Sequence, residues 1–217
     1  MKPILNFLLL TASIGFLSTT VNAQTDKEAQ DLIKSMSAKY KAMGTLKANF
    51  TIANENPKTK NVDKQPGNIS LKGDKYKLEF AGQEVISDGV TVWTFLKESN
   101  EVQINNPTTD KDAISPSNIF TMYDKGFLYK FVEEKTEDGV LVQVLDLTPT
   151  DKKRSFFKIR LTISKADKQI VSSKILDKSG NKSTYTIQKF IPNPPLPDNM
   201  FTFDKTKHPG VEMNDLR

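Results

Sequence analysis

The sequence predicts a mainly β (α+β) protein, in which an N-terminal amphipathic helix precedes a long curved antiparallel sheet with a few short helices to cover it. Three observations predict this class. Apolar residues recur at three- and four-residue spacing between Asp26 and Met43, then at two-residue spacing from Leu46 onward. Turn-forming pairs such as Asp88-Gly89 and Asp138-Gly139 punctuate the alternating stretches. Proline-bearing segments interrupt the alternation at two places.

The helix places Ala29, Leu32, Ile33, Met36, Tyr40 and Met43 on one face, and Gly44 is a natural stop. Leu46, Ala48, Phe50 and Ile52 then alternate with Lys47, Asn49 and Thr51, which is the mark of a strand with one polar face. The same period returns at Ile69 and Leu71, and at Tyr76, Leu78 and Phe80. Further strands are expected at Glu84 to Ser87, Val90 to Leu96, Glu101 to Ile104, Phe127 to Glu134 and Val140 to Pro149. Ser155 to Ser164, Gln169 to Asp177, Lys182 to Phe190 and a short Phe201 to Phe203 complete the set. Joined by short turns, they form a meander. In the first interruption Ser115-Pro116 reads as an N-cap and first helical residue leading into Ile119, Phe120, Met122 and Tyr123. The second, Ile191 to Pro197, is a stiff extended linker before a helical turn near Asp198.

Residues 1–23 read as a cleaved secretory signal: Lys2, an apolar stretch from Ile4 to Phe16, and Val21-Asn22-Ala23 at the cleavage site. The polar residues Thr11, Ser13, Ser18 and Thr19 break the run that a membrane span needs. The mature chain, 24–217, is then about 190 residues, which suits one domain. Loss of Lys2 with the signal lowers the formal charge from +5 to +4. That excess suits an anionic partner or a headgroup surface, whereas the basic residues are too scattered for nucleic acid. Without cysteine there is no disulfide, no thiolate chemistry and no lipid-bearing residue.

Catalysis has no candidate constellation. His208 is the sole histidine, so a metal site is not expected, and no cofactor motif appears. The acidic pairs Glu133-Glu134 and Asp110 with Asp112 read as solvated charge, and Ser87-Asp88-Gly89 lacks the glycine of a nucleophile elbow. The informative feature is apolar placement on both faces of two strands: Trp93 and Phe95 against Val92 and Leu96, and Phe127, Tyr129 and Phe131 against Leu128 and Val132. From the pattern alone, ordinary core and helix packing is the preferred explanation, since periodicity does not show an open cavity.

Several segments resemble the outer-membrane lipoprotein carrier (LolA) family. Ile86-Ser87-Asp88-Gly89-Val90-Thr91-Val92-Trp93-Thr94-Phe95 is similar to that family's SDGxTxWxY/F hairpin. Leu71 to Phe80 resembles the strand pair before it, Lys47-Ala48-Asn49-Phe50-Thr51 the first strand, and Phe201-Thr202-Phe203 with Pro209-Gly210-Val211 the closing segment. The matches run in family order over most of the mature chain.

The resemblance implies an unclosed antiparallel β-barrel of about eleven strands, with a lid of short helices over an apolar cavity that holds acyl chains. Carried onto this sequence, Phe50, Ile52, Tyr76, Leu78, Phe80, Trp93 and Phe95 are wall candidates. Ala29, Leu32, Ile33 and Met36 on the first helix, and Ile119, Phe120 and Met122 on the second, are lid candidates. The implied role is that of a monomeric, non-enzymatic periplasmic chaperone. It takes triacylated lipoproteins from an inner-membrane lipoprotein-releasing ABC transporter complex to an outer-membrane acceptor. A lipid or lipoprotein sensor-regulator and a free-lipid carrier are alternatives on the same fold. The chain departs from the family where Arg-Pro commonly follows the lysine matching Lys72: here Gly73-Asp74 stands, with Lys75 as the nearby charge. Ile52 also stands where the family carries glutamine.

Overall fold

In the computed structural model, which describes residues 21–108 and 115–217, the two-residue alternation becomes a single twelve-stranded sheet. The expected signal falls, up to residue 20, outside the described residues, as do Asp110 and Asp112. The described residues begin with helix α1 (Val21–Lys41), whose buried stripe is Ala29, Leu32, Ile33, Met36 and Tyr40. Lys39 and Lys41 lie in its last turn, where cations suit the carbonyl end of a helix.

A first meander follows: β1 (Thr45–Glu55), β2 (Val62–Lys72), β3 (Lys75–Phe80), β4 (Gln83–Ser87), β5 (Val92–Leu96) and β6 (Glu101–Asn105). After a crossing segment comes a second: β7 (Phe127–Glu137), β8 (Val140–Pro149), β9 (Phe156–Ser164), β10 (Ile170–Asp177) and β11 (Lys182–Pro192). Antiparallel pairing of β1 with β11 fuses the two, Ala48 opposite Phe190 and Ile52 opposite Tyr185. The Asp138-Gly139 hairpin has both central residues at positive φ (48° and 80°), the backbone such a tight turn requires.

Two expected elements come out differently. Residues 201–203 do not form a strand: Phe201 ends a 3-10 helix (Asp198–Phe201), and the twelfth strand is β12 (Glu212–Asp215), parallel to β6. Glu212, Met213, Asn214 and Asp215 carry no apolar alternation, so only the neighbouring strand edge calls them into extended form. The second lid helix is also absent. Residues 116–121 form turns, followed by a 3-10 helix (Met122–Asp124). Here the Asn118 carbonyl accepts from both Thr121 and Met122 N–H (2.8 Å each), and its side chain accepts from Ser115 N–H (3.0 Å). These bonds close single turns only, the segment is too short to nucleate a longer helix, and Gly126 (φ 78°) turns the chain into β7.

The sheet is curled. Three strands separate β3 from β10 in the order β3-β2-β1-β11-β10, so a flat sheet would hold them about 19 Å apart. Side chains from both nevertheless line one cavity. The free edges, β7 and β12, do not meet, and the barrel stays open. The main core fills the inner face beneath α1 and the crossing segment.

Candidate functional site

Cross-strand partners share a face, so register decides what points inward. Ala48, Ile69, Leu78 and Val85 lie opposite one another across β1 to β4 and form an inner row. The neighbouring row, Lys47, Ser70, Lys77, Ile86 and Trp93, lies on the outer face.

The inner face encloses a cavity of about 230 Å³. Its walls are Phe50 and Ile52 of β1, Ile69 of β2, and Leu78 and Phe80 of β3 on one side. Ile170, Ser173 and Ile175 of β10, with Tyr185 and Ile187 of β11, form the other. Ser115, Pro116, Ile119, Phe120, Met122 and Tyr123 of the crossing segment form the roof. Among the described residues, no charged side chain lines it. Gly67 on β2 makes room for the Phe50 ring: a Cβ there would lie 2.4 Å from the ring's far carbon.

The few polar groups at the roof are satisfied. The Tyr123 hydroxyl donates to Ser173 Oγ (3.2 Å), and its burial pushes the phenol up to about 12. The Tyr129 hydroxyl donates to the Tyr123 carbonyl (3.0 Å). Tyr40 on α1 accepts from Ile170 N–H (3.0 Å), its phenol also pushed up to about 12 by burial, while its ring stacks on Phe120 at 5.1 Å. Lys41 pairs with Asp124 at the end of the roof. Neutral phenols and hydroxyls in an apolar chamber can bind and exclude water but offer no acid, base or nucleophile with a partner.

Of the wall candidates, Phe50, Ile52, Leu78 and Phe80 line this cavity, and Tyr76 sits in the adjoining core. Trp93 and Phe95 do not line it. They lie on the outer face, in a satellite cluster with Ile86, Val102, Phe203 and Val211, which the C-terminal segment covers. Alternation shows that a strand has two faces but not which one turns inward, and β5 is apolar on both. His208 belongs to the same cluster, its ring 4.3 Å from that of Phe95 and 4.8 Å from that of Phe203. On β7, Phe127, Tyr129 and Phe131 face the core, while Leu128 is 65% exposed.

Among the lid candidates, Ile119, Phe120 and Met122 form the roof. Ala29, Leu32, Ile33 and Met36 are buried in the same core without lining the cavity. Lys75 does not reach the roof: with Lys72 it pairs with Asp198 (3.0 and 3.1 Å), whose carboxyl these lysines hold below its usual range. Ile170, Ile175, Tyr185 and Ile187 are wall residues that the sequence pattern does not single out. Their alternation is legible, but their place opposite Phe50 and Leu78 depends on the β1–β11 pairing.

No curated protein sequence matches the chain. Among solved structures, an uncharacterized conserved protein from Thermus thermophilus shares 13% identity, with a TM-score of 0.57 over 87% of this chain and 99% of that one. A LolA superfamily protein from Nitrosomonas europaea shares 14%, with a TM-score of 0.43 over 82% and 98%. The Pseudomonas aeruginosa MucA/MucB complex shares 10%, with a TM-score of 0.43 over 82% of this chain and 62% of that one. The family model for the outer membrane lipoprotein carrier protein LolA matches residues 41–204, from the end of α1 through the second meander and beyond. An open curled sheet, an apolar chamber and a family match across most of its length together show that this chain belongs to the LolA outer membrane lipoprotein carrier family.

Proposed function

We propose that the protein is a periplasmic chaperone that holds the acyl chains of lipoproteins in the chamber beneath residues 115–123. In this role it carries them from an inner-membrane export complex to an outer-membrane acceptor, after its signal is removed near Ala23. The observation that carries the reading is an uncharged chamber roofed by a segment of turns that belongs to neither the sheet nor α1. Each methylene exposed to water costs about 0.8 kcal/mol, so one long acyl chain costs on the order of 10 kcal/mol. A chamber that replaces membrane burial with protein burial removes most of that barrier. Covering the same residues with Ile119, Phe120 and Met122 keeps the empty carrier from exposing them.

The cavity volume bears on the cargo. At about 230 Å³ it lies below the roughly 300–1,000 Å³ of ordinary ligand sites. A cargo with several acyl chains therefore requires the roof to swing away, whereas a single-chain lipid needs less opening. The small chamber favours a free-lipid carrier as the second reading.

Mass spectrometry of what co-purifies with the protein from the periplasm separates the two. Triacylated lipoprotein in a one-to-one complex supports the carrier, free lipid alone supports the second reading, and an empty protein bound to a regulatory partner overturns both. Leu78→Glu, which puts a carboxylate on the cavity wall, is expected to lower binding of a fluorescent fatty acid at least tenfold, with most of the folding stability retained. Leu78 is only partly buried, unlike Ile159 or Leu161. Equal loss of folding and binding would make Leu78 ordinary core.

A further inference from the structure

One end of the sheet gathers positive charge. The loops 56–61, 150–155 and 178–181 adjoin there: Lys178 Nζ donates to the Lys152 carbonyl, and a Cβ on Gly180 would lie 3.5 Å from Pro57. They bring together Lys58, Lys60, Lys152, Lys153 and Lys178, all exposed. The loop carboxylates turn back on their own backbone: Asp151 accepts from Lys153 N–H and Asp177 from Asn181 N–H, both at 2.8 Å.

The outer face beside these loops continues the charge. Lys130, Asp146, Arg160 and Lys174 lie opposite one another across β7 to β10. Asp146 is shared between Arg160 (2.8 Å) and Lys158 (3.1 Å). Glu133 of β7 also acts on Arg160, and Glu55 of β1 on Lys174 and Lys60, so these carboxylates offset part, but not all, of the positive charge. Within this basic field stand exposed apolar side chains, Leu128 at the start of β7 (65% exposed) and Phe157 at the start of β9 (47%). The inner face turns polar at the same end. Beyond the wall residues Ile52 and Tyr185, Ser183 donates to Asn54 (2.7 Å).

Cations flanking exposed leucine and phenylalanine match a surface with phosphate outside and hydrocarbon just beneath. An acidic protein would answer the lysines but leave Leu128 and Phe157 in water unless it also carried apolar pockets. We propose that this end of the molecule docks on an anionic lipid bilayer, its lysines against the headgroup phosphates and Leu128 and Phe157 at the interface. The docking stands apart from the carrier reading. Together with it, docking would set the polar rim by Asn54 and Ser183 against the headgroups during acyl transfer.

The test is co-sedimentation of the purified protein with vesicles of phosphatidylcholine alone or mixed equally with phosphatidylglycerol. Binding is expected only to the anionic vesicles and is expected to fall steeply with salt. Each lysine near such a surface is worth about fivefold in partitioning, so Lys152→Ala/Lys153→Ala/Lys178→Ala should lose about a hundredfold. The matching triple arginine variant should retain binding, and Phe157→Ser should lose roughly fivefold. Fluorescent fatty-acid binding and the unfolding transition, measured on the same samples, should not change. Equal binding to neutral vesicles, no vesicle binding, or an unaffected triple alanine variant would overturn the proposal. Capture of an acidic peptide without vesicle binding would give the surface to a protein partner. Failure of the wild-type protein to bind the fatty-acid probe would count against the acyl chamber and leave the docking result intact.

Discussion

Asp146 shows how much one side chain carries on the outer face. Its carboxylate accepts from Arg160 Nε and Nη2 (2.8 and 3.0 Å) and from Lys158 Nζ (3.1 Å). The Arg160 fork, and after it Lys158, holds the carboxyl below its usual value of 3.8 against the opposing pull of burial. A carboxyl depressed in the folded state contributes stability that is full above its ordinary value and is lost as pH falls through the depressed one. Thermal unfolding followed from neutral pH downward should therefore show this contribution fading only below about pH 4. Asp146→Asn should flatten that part of the curve while lowering stability at neutral pH. An unchanged acid limb would mean that the fork contributes nothing measurable. Tyr123 and Tyr40 are pushed up instead, because burial disfavours the phenolate, and they stay neutral donors or acceptors throughout that range.

The crossing segment is the element on which function turns. It is held by apolar contact and by polar ties, among which Tyr123 to Ser173 is buried and Lys41 to Asp124 lies nearer solvent. Tyr123→Phe removes the first tie without changing the shape of the roof, and a neutral hydrogen bond of this kind is worth about 1 kcal/mol. Amide exchange across residues 115–125 should speed by about fivefold as a result. Fatty-acid association should accelerate with it, while exchange in β1 and β11 should not move. An unchanged exchange rate would show that the roof opens elsewhere. Ser115-Pro116 overstates the segment's helical character because a proline at a helix start is a local cue that does not set length, and the turns it opens end at Asp124 before Gly126 turns the chain into β7.

At the scale of the molecule, two meanders are joined by one seam, β1 against β11, and the outer face of β4 to β6 is covered by the chain's last turns. Removing residues 211–217 deletes β12, bares the β6 edge and takes Val211 from the satellite core. Burying one such side chain is worth about 2 kcal/mol, so chemical denaturation should register a loss of that order. Light scattering should detect concentration-dependent association through the opened edge. Binding of the fatty-acid probe should persist, since the cavity lies on the opposite face. Loss of probe binding in a truncated chain that still folds would mean the two faces are coupled.

The sequence by itself determined the period of most long elements, though of β2 (Val62–Lys72) it marked only Ile69 and Leu71, because Val62 to Asn68 carries no apolar alternation. The stripe from Ala29 to Tyr40 is a helix, the alternation at Leu46 to Ile52 is a strand, and Asp138-Gly139 is a tight hairpin, because spacing and turn chemistry are local properties. Phe50, Ile52, Leu78 and Phe80 fall on the cavity because their strands have a single apolar face, which must turn inward. Only the tertiary structure decided that Trp93 and Phe95 face outward, that Ile175 and Tyr185 complete the chamber, and that residues 212–215 become a strand. The reason is physical in each case. A strand apolar on both faces takes its orientation from its neighbours' register. A cavity exists only once segments more than a hundred residues apart are paired. A polar segment becomes extended only where an open strand edge offers it hydrogen bonds.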